Sequence, residues 1–165
     1  MAQDGNTTPN NITFRQMVDT FETIATKHYQ LQSFKSGGLD ETDINKLDAT
    51  DFPLLYVEPQ TATVDAQTLT YSFDVIVADL IQNDMSDRDD AYTSTLLIIK
   101  DVISQFRQAT QSKSWADQRT DIELPVSLEP FTSRFANMLT GWAGTISVVV
   151  NNQNDLCSVP QIMNT

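Results

Sequence analysis

Apolar residues recur at helical spacing in two stretches of the chain. A capping-box pattern at residues 13–16 precedes the first stretch and predicts a helix from about Phe14 to Gln32, ended by Gly37-Gly38. The charged turn at 83–90, with Ser86 or Asp87 as its cap, precedes the second helix. The apolar face of that helix comprises Ala91, Thr95, Leu96, Ile99, Val102, Ile103 and Phe106.

Four other stretches have the composition or alternation of strands. Strict alternation over 69–78 predicts one half-buried strand, and a short apolar run at 52–57 between prolines predicts another. Residues 122–129, interrupted by a proline, and residues 141–150 predict two more, whereas 131–139 fit a short helix or a strand equally. We therefore predict an α+β fold: an antiparallel sheet with two main helices packed on one face.

The ends of the chain differ in composition from its centre. Residues 1–12 are rich in Asn, Thr, Gly and Pro and predict a flexible N-terminal arm, and residues 151–165 predict a polar C-terminal arm. Between them, residues 13–150 predict a single domain, since 40% of the chain is hydrophobic and can form a core.

The charge balance is strongly acidic. The chain has 22 Asp and Glu against 10 Lys and Arg, a net charge of -12, which argues against a fixed grip on nucleic-acid phosphates or an anionic membrane surface. From Asp40 to Asp90 there are 13 acidic residues and only two basic ones. This segment is either a solvated acidic face or an acidic lining past which DNA slides without being held. The candidate lining or docking residues are Asp40, Glu41, Asp43, Asp48, Asp51, Asp84, Asp87, Asp89 and Asp90.

Residue types that carry catalysis are sparse. The single histidine, His28, lies on the apolar face of the first helix near its end, where a half-buried packing role is favoured over a catalytic one. The single cysteine, Cys157, lies in the polar C-terminal arm. The acidic cluster at 84–90 lacks the spacing and glycine of a calcium loop, and helix capping explains it better. We therefore expect no catalytic site, no metal and no cofactor.

No targeting or membrane segment is expected. The first residues are polar and no apolar run approaches the roughly 20 residues of a membrane span, so we expect a protein made in the cytoplasm without membrane contact.

Residues 128–160 combine several short segments with an apolar strand: Leu128–Phe131, Arg134–Leu139, Gly141-Trp142, Asn154–Cys157 and Pro160. In this combination the chain resembles small virion proteins of tailed bacteriophages. The order of elements also resembles tail-terminator and head–tail-joining proteins, but the long acidic segment and the arms depart from that pattern.

The resemblance implies a tail-terminator-like fold and a ring around the DNA channel of the virion neck or tail, assembled in the host cytoplasm. It implies a hexamer, with a dodecamer as the alternative, contacting portal, neck or tail proteins, with DNA only as passing cargo. Proline-marked strands suit edges completed by another chain. The candidate subunit-contact residues are Leu124, Val126, Leu128, Trp142, Ile146 and Val148.

Two other functions stay open. One is an acidic binding protein that mimics DNA and occupies a basic surface of a partner. The other is an enzyme that uses carboxylates or a metal, for which no particular residues are singled out.

Overall fold

The computed structural model of the protein describes residues 13–38, 46–82, 84–110, 120–134 and 138–151. The predicted arms therefore lie outside the described residues, except that Asn151 ends the last strand. The elements in chain order are α1 (Phe14–Lys27), β1 (Ser33–Ser36), a 3-10 turn (Ala49–Asp51), β2 (Leu54–Val64), β3 (Thr68–Leu80), α2 (Arg88–Thr110), β4 (Thr120–Ile122), β5 (Leu128–Arg134) and β6 (Met138–Asn151).

All six strands form one sheet in the order β1-β2-β3-β6-β4, and β5 also pairs with β6. Because β4 pairs near the end of β6 and β5 pairs near its beginning, these two strands lie one after the other along the same edge. The α+β fold class is confirmed. One detail is corrected: β1 pairs with β2 in parallel, with Ser33 opposite Leu54, so the sheet is mixed and not purely antiparallel.

Both helices pack on one face of the sheet, which we call the inner face; the opposite side is the outer face. Their apolar side chains meet the inward residues of β3 and β6 in one buried cluster. The rings of Phe21 and Phe106 stack with centroids 4.0 Å apart where α1 crosses α2. Burying a side chain of this size is worth about 1.5–3 kcal/mol, so this cluster is the main stabilising feature. Neither helix of the described ranges has the length and apolar character that a bilayer-spanning helix needs.

The first helix begins as predicted but ends early. Thr13 and Gln16 make the capping box, with the Gln16 N–H 3.2 Å from the Thr13 hydroxyl. The helix ends at Lys27 and not at Gln32, because the following residues turn to bring Ser33–Ser36 alongside β2. Gly37, with a φ of 95°, therefore ends β1 and not the helix.

Two strand boundaries also differ from the prediction. Strand β2 continues through Pro59 to Val64, and its pairing with β3 shifts by one residue at Pro59/Thr61. The strand predicted at 122–129 is broken into β4 and β5, with Pro125 in the break. Residues 131–139, undecided from the sequence, contribute the end of β5 and the start of β6, with 135–137 outside the described residues.

Candidate functional site

The two acidic clusters that the structure describes lie at the same end of the sheet. Leu54 at the start of β2 pairs with Ala78 near the end of β3. The 3-10 turn that leads into β2 and the 84–90 turn that leaves β3 are therefore neighbours in space. We call this the acidic end; it carries Asp48, Asp51, Asp84, Asp87, Asp89 and Asp90. The predicted Asp40, Glu41 and Asp43 lie outside the described residues.

Several of these carboxylates shape their own turns. Asp84 accepts the Ser86 N–H at 3.0 Å, and this bond holds the pKa of Asp84 below its usual value. Asp87 accepts the Gln82 N–H at 2.9 Å, so its side chain binds the preceding turn while its carbonyl accepts the Ala91 N–H. Local hydrogen bonding therefore accounts for part of the acidic cluster.

Asp79, near the end of β3, is a half-buried carboxylate next to the acidic end. Burial raises its pKa, the Leu80 N–H that it accepts at 2.8 Å opposes that effect, and the nearby negative charge of Asp87 adds to it. Its strand partner Thr140 is fully buried, which places Asp79 beside the interior.

A row of carboxylates crosses the outer face of the sheet. Glu58 of β2 lies directly opposite Asp74 of β3, and Asp74 lies opposite Thr145 of β6, whose hydroxyl donates to it at 2.6 Å. Glu129 of β5 projects from the same face, since it pairs with Ala143, two residues before Thr145. We call Glu58, Asp74 and Glu129 the acidic row. Among the residues that the structure describes, none of the three takes part in an ion pair.

A shallow hollow of about 470 Å³ lies within this row. Asp74 and Glu129 both line it, together with the chain at Pro125 and Ser127. That chain passes directly over β6: a Cβ atom at Gly144 would lie 2.9 Å from the Ser127 carbonyl oxygen. The chain between β4 and β5 therefore lies close against β6 at Gly144, where a side chain would have to displace it.

The contacts of the His28 ring indicate a structural role. Nδ1 of His28 lies 3.1 Å from the Gln30 N–H, which only an unprotonated ring nitrogen can accept, so the ring proton is assigned to Nε2. Nε2 faces a carboxylate oxygen of Asp101 at 3.3 Å, and the side chain is 7% exposed. Both ring nitrogens are thus engaged, and the ring joins the end of α1 to α2.

Metal-binding side chains are not gathered in the described part of the molecule. Within the described residues, no group of three or more His, Cys, Asp or Glu side chains could hold a metal ion. Cys157 lies outside those ranges.

The predicted subunit-contact residues divide into two groups. Ile146 and Val148 are fully buried in the subunit's own core, and the Trp142 indole N–H donates to the Tyr92 carbonyl at 2.9 Å. For Ile146 and Val148 the prediction is corrected, because alternation along β6 points them inward beneath the helices. Val126 and Leu128 pack partly against that core, and Leu124 remains 54% exposed.

The acidic row was missed from the sequence, although part of the signal was present. Alternation along β3 puts Asp74 on the face opposite Phe73. That Glu58 and Glu129 share this face depends on strand order and register, which no local pattern encodes. No protein-family model matches the sequence, and no curated protein shows significant similarity to it.

Proposed function

We propose that this protein is a structural component of a tailed-bacteriophage virion, forming a ring in the neck or tail that joins head and tail around the DNA channel. The observation that carries the proposal is the acidic row: three carboxylates that form no ion pair with any other described residue, on the side of the sheet that the helices leave uncovered. In a ring, copies of this row would surround the lumen.

An acidic lumen suits the passage of DNA. Phosphates bind where Lys and Arg replace their counterions, and a carboxylate surface offers no such site. Like charges keep the duplex centred and free to slide. The acidic end would extend this charge to one rim of the ring, where the neighbouring layer of the neck or tail docks.

The ring is tested by the native mass of the purified protein across a concentration series, with negative-stain images of the particles. Annular particles of about six subunits are expected, and twelve would indicate the stacked alternative. A protein that stays monomeric at every concentration and in virions contradicts the proposal.

Whether the acidic row lines the lumen is tested by reversing charges on the outer face of the sheet and, as a control, on α1. In E58K/E129K the acidic row becomes basic, so rings of this variant should retain linear duplex DNA that wild-type rings release. The matched control D19K/E22K makes the same charge change on the exposed side of α1. Equal DNA retention by both variants would place the row away from the lumen.

The alternative function is an acidic binding protein that occupies a basic surface of a partner. The same carboxylates support it, because a row of carboxylates can take the place of phosphates. A monomer that captures a nucleic-acid-binding protein, is released by salt and loses capture in E58K/E129K would favour this function over the ring.

A further inference from the structure

The far half of β2 is a sheet edge. Strand β1 pairs only with Leu54–Val57, and the Gly37 N–H donates to the Val57 carbonyl at 3.1 Å where that pairing ends. From Glu58 to Val64, β2 has β3 on one side and, within the described residues, no strand on the other. The side chains at 59–67 are all exposed, so this part of the β2–β3 hairpin projects from the body.

The backbone of this edge is arranged to accept another strand. The Asp65 N–H donates to the Thr68 carbonyl at 2.8 Å, so the next pair outward from the turn, Val64 and Leu69, is not hydrogen-bonded. Because hydrogen-bonded and non-hydrogen-bonded pairs alternate, the N–H and C=O of Val64 and Ala62 point away from β3.

The side chains of the same segment favour strand addition. Residues 60–64, Gln-Thr-Ala-Thr-Val, carry no charge in a chain whose net charge is -12. Edge strands are ordinarily protected by charged residues, bulges or proline, and here the proline and the register shift at Pro59 protect only the base of the edge. Two copies of so acidic a chain can approach most closely where neither presents a carboxylate.

We infer that the occupant of this edge is residues 60–64 of a second copy, paired antiparallel across a two-fold axis at Ala62. The two Ala62 residues then exchange both backbone hydrogen bonds, and Thr61 of each copy faces Thr63 of the other, a favourable cross-strand pair. In this register Glu58 faces Ala66 and Asp65 faces Pro59, so no two carboxylates are opposed. The segment is therefore complementary to itself.

This contact goes beyond the proposed ring. A two-fold contact uses the same patch on both copies and closes at a dimer, whereas a ring requires head-to-tail contacts between different patches. Combined with a hexameric ring, the two-fold contact would join two rings into a dodecamer.

The first test removes the outward-facing donor. Ala62→Pro deletes an N–H that β3 does not use, and proline is tolerated on an edge strand whose N–H faces solvent, so the subunit should fold. We expect the dimer dissociation constant from sedimentation equilibrium to rise at least about tenfold. Ala62→Ser, which keeps the N–H, is the control and should dimerise like wild type. A wild-type protein that does not self-associate, or an A62P variant that associates normally, overturns the inference.

The second test examines the register. T61K/T63K places like charges opposite one another across the axis, whereas T61K/T63E places opposite charges there. The first variant should lose the dimer although it lowers the net negative charge, and the second should keep it. Equal association of the two variants, with both confirmed as folded by circular dichroism, overturns the two-fold register.

Hydrogen exchange separates this contact from the ring. The amides of Ala62 and Val64 should exchange more slowly as wild-type concentration rises, and this change should vanish in A62P. Rings of A62P should still assemble, so loss of the dimer and loss of the ring are distinguishable. Exchange at these amides that does not depend on concentration counts against the inference.

Discussion

Gly141 of β6 lies against the backbone of Val77 in β3: a Cβ atom at residue 141 would sit 1.9 Å from the Val77 carbonyl oxygen. Real Cβ atoms do not approach backbone this closely, so an alanine there forces the two central strands apart. We expect Gly141→Ala to lower the free energy of unfolding by about 1–3 kcal/mol, measured by urea denaturation. Gly38→Ala is the control, because nothing lies within 4 Å of a Cβ there. Equal stability of the two variants would contradict the close approach.

Asp79 predicts a pH dependence of stability. Its pKa is raised in the folded state, mainly by burial, so its ionisation disfavours folding. The destabilisation is fully present above the raised pKa and disappears as pH falls through it towards 3.8, the value of an unperturbed carboxyl. Asp79→Asn should therefore be more stable than wild type at pH 7, with the gain shrinking as pH approaches 4. Thermal unfolding across this range measures it, and a gain that is constant with pH would exclude this cause.

Tyr92 joins α2 to the β5–β6 hairpin. Its hydroxyl lies 2.9 Å from that of Thr132, and this hydrogen bond holds the pKa of Tyr92 below its usual value. Tyr92→Phe should cost about 0.5–1.5 kcal/mol of unfolding free energy in urea titrations. Tyr29→Phe is the control, since Tyr29 is 95% exposed. In Thr132→Val, spectrophotometric titration should show the pKa of Tyr92 moving up; an unchanged titration would remove the hydrogen bond as the cause.

Removing the charge of Glu58 should raise the stability of the protein, because Glu58 lies directly opposite Asp74. Like charges directly opposite on neighbouring strands are destabilising, so Glu58→Gln should stabilise the protein by about 0.2–1 kcal/mol at low salt. The gain should shrink at high salt, because screening already weakens the repulsion. Glu129→Gln is the control, since Glu129 faces Ala143. Urea midpoints at two ionic strengths measure the effect, and a larger gain for the control would contradict it.

The spacing of apolar residues predicted the elements that have one clearly apolar face. The alternation from Leu69 to Val77 marks β3 because the helices cover the face that carries Phe73, Val75 and Val77, whereas Thr70, Ser72 and Asp74 lie on the opposite face. Helix α2 was likewise evident from its apolar stripe. In contrast, the apolar spacing of α1 continues to Leu31, which is buried although it lies outside the helix. Burial alone does not distinguish a helix from the extended chain that follows it. The parallel pairing of Ser33 with Leu54, which ends the helix, joins residues 21 positions apart.

The surfaces depended on pairings that the sequence does not encode. The two acidic clusters, at 48–51 and at 84–90, are each visible in the sequence, but their meeting at one end of the sheet depends on the pairing of β2 with β3. The row of Glu58, Asp74 and Glu129 comes from three strands, and its members become neighbours only through the register of β2, β3 and β5. The open edge beside Ala62 likewise appears only once β1 is seen to stop at Ser36.

The position of β6 has a consequence for synthesis of the protein. This strand is the last element of the described chain, yet it lies between β3 on one side and β4 and β5 on the other. Until β6 has been synthesised and has left the ribosome, only the β1–β2–β3 part of the sheet can pair, and the border of β3 that pairs with β6 stays open. The nascent subunit therefore cannot close the centre of its sheet before β6 is available. A chaperone that shields β3 during this interval would raise the yield of native protein, and a premature stop before Met138 would leave a product prone to precipitate.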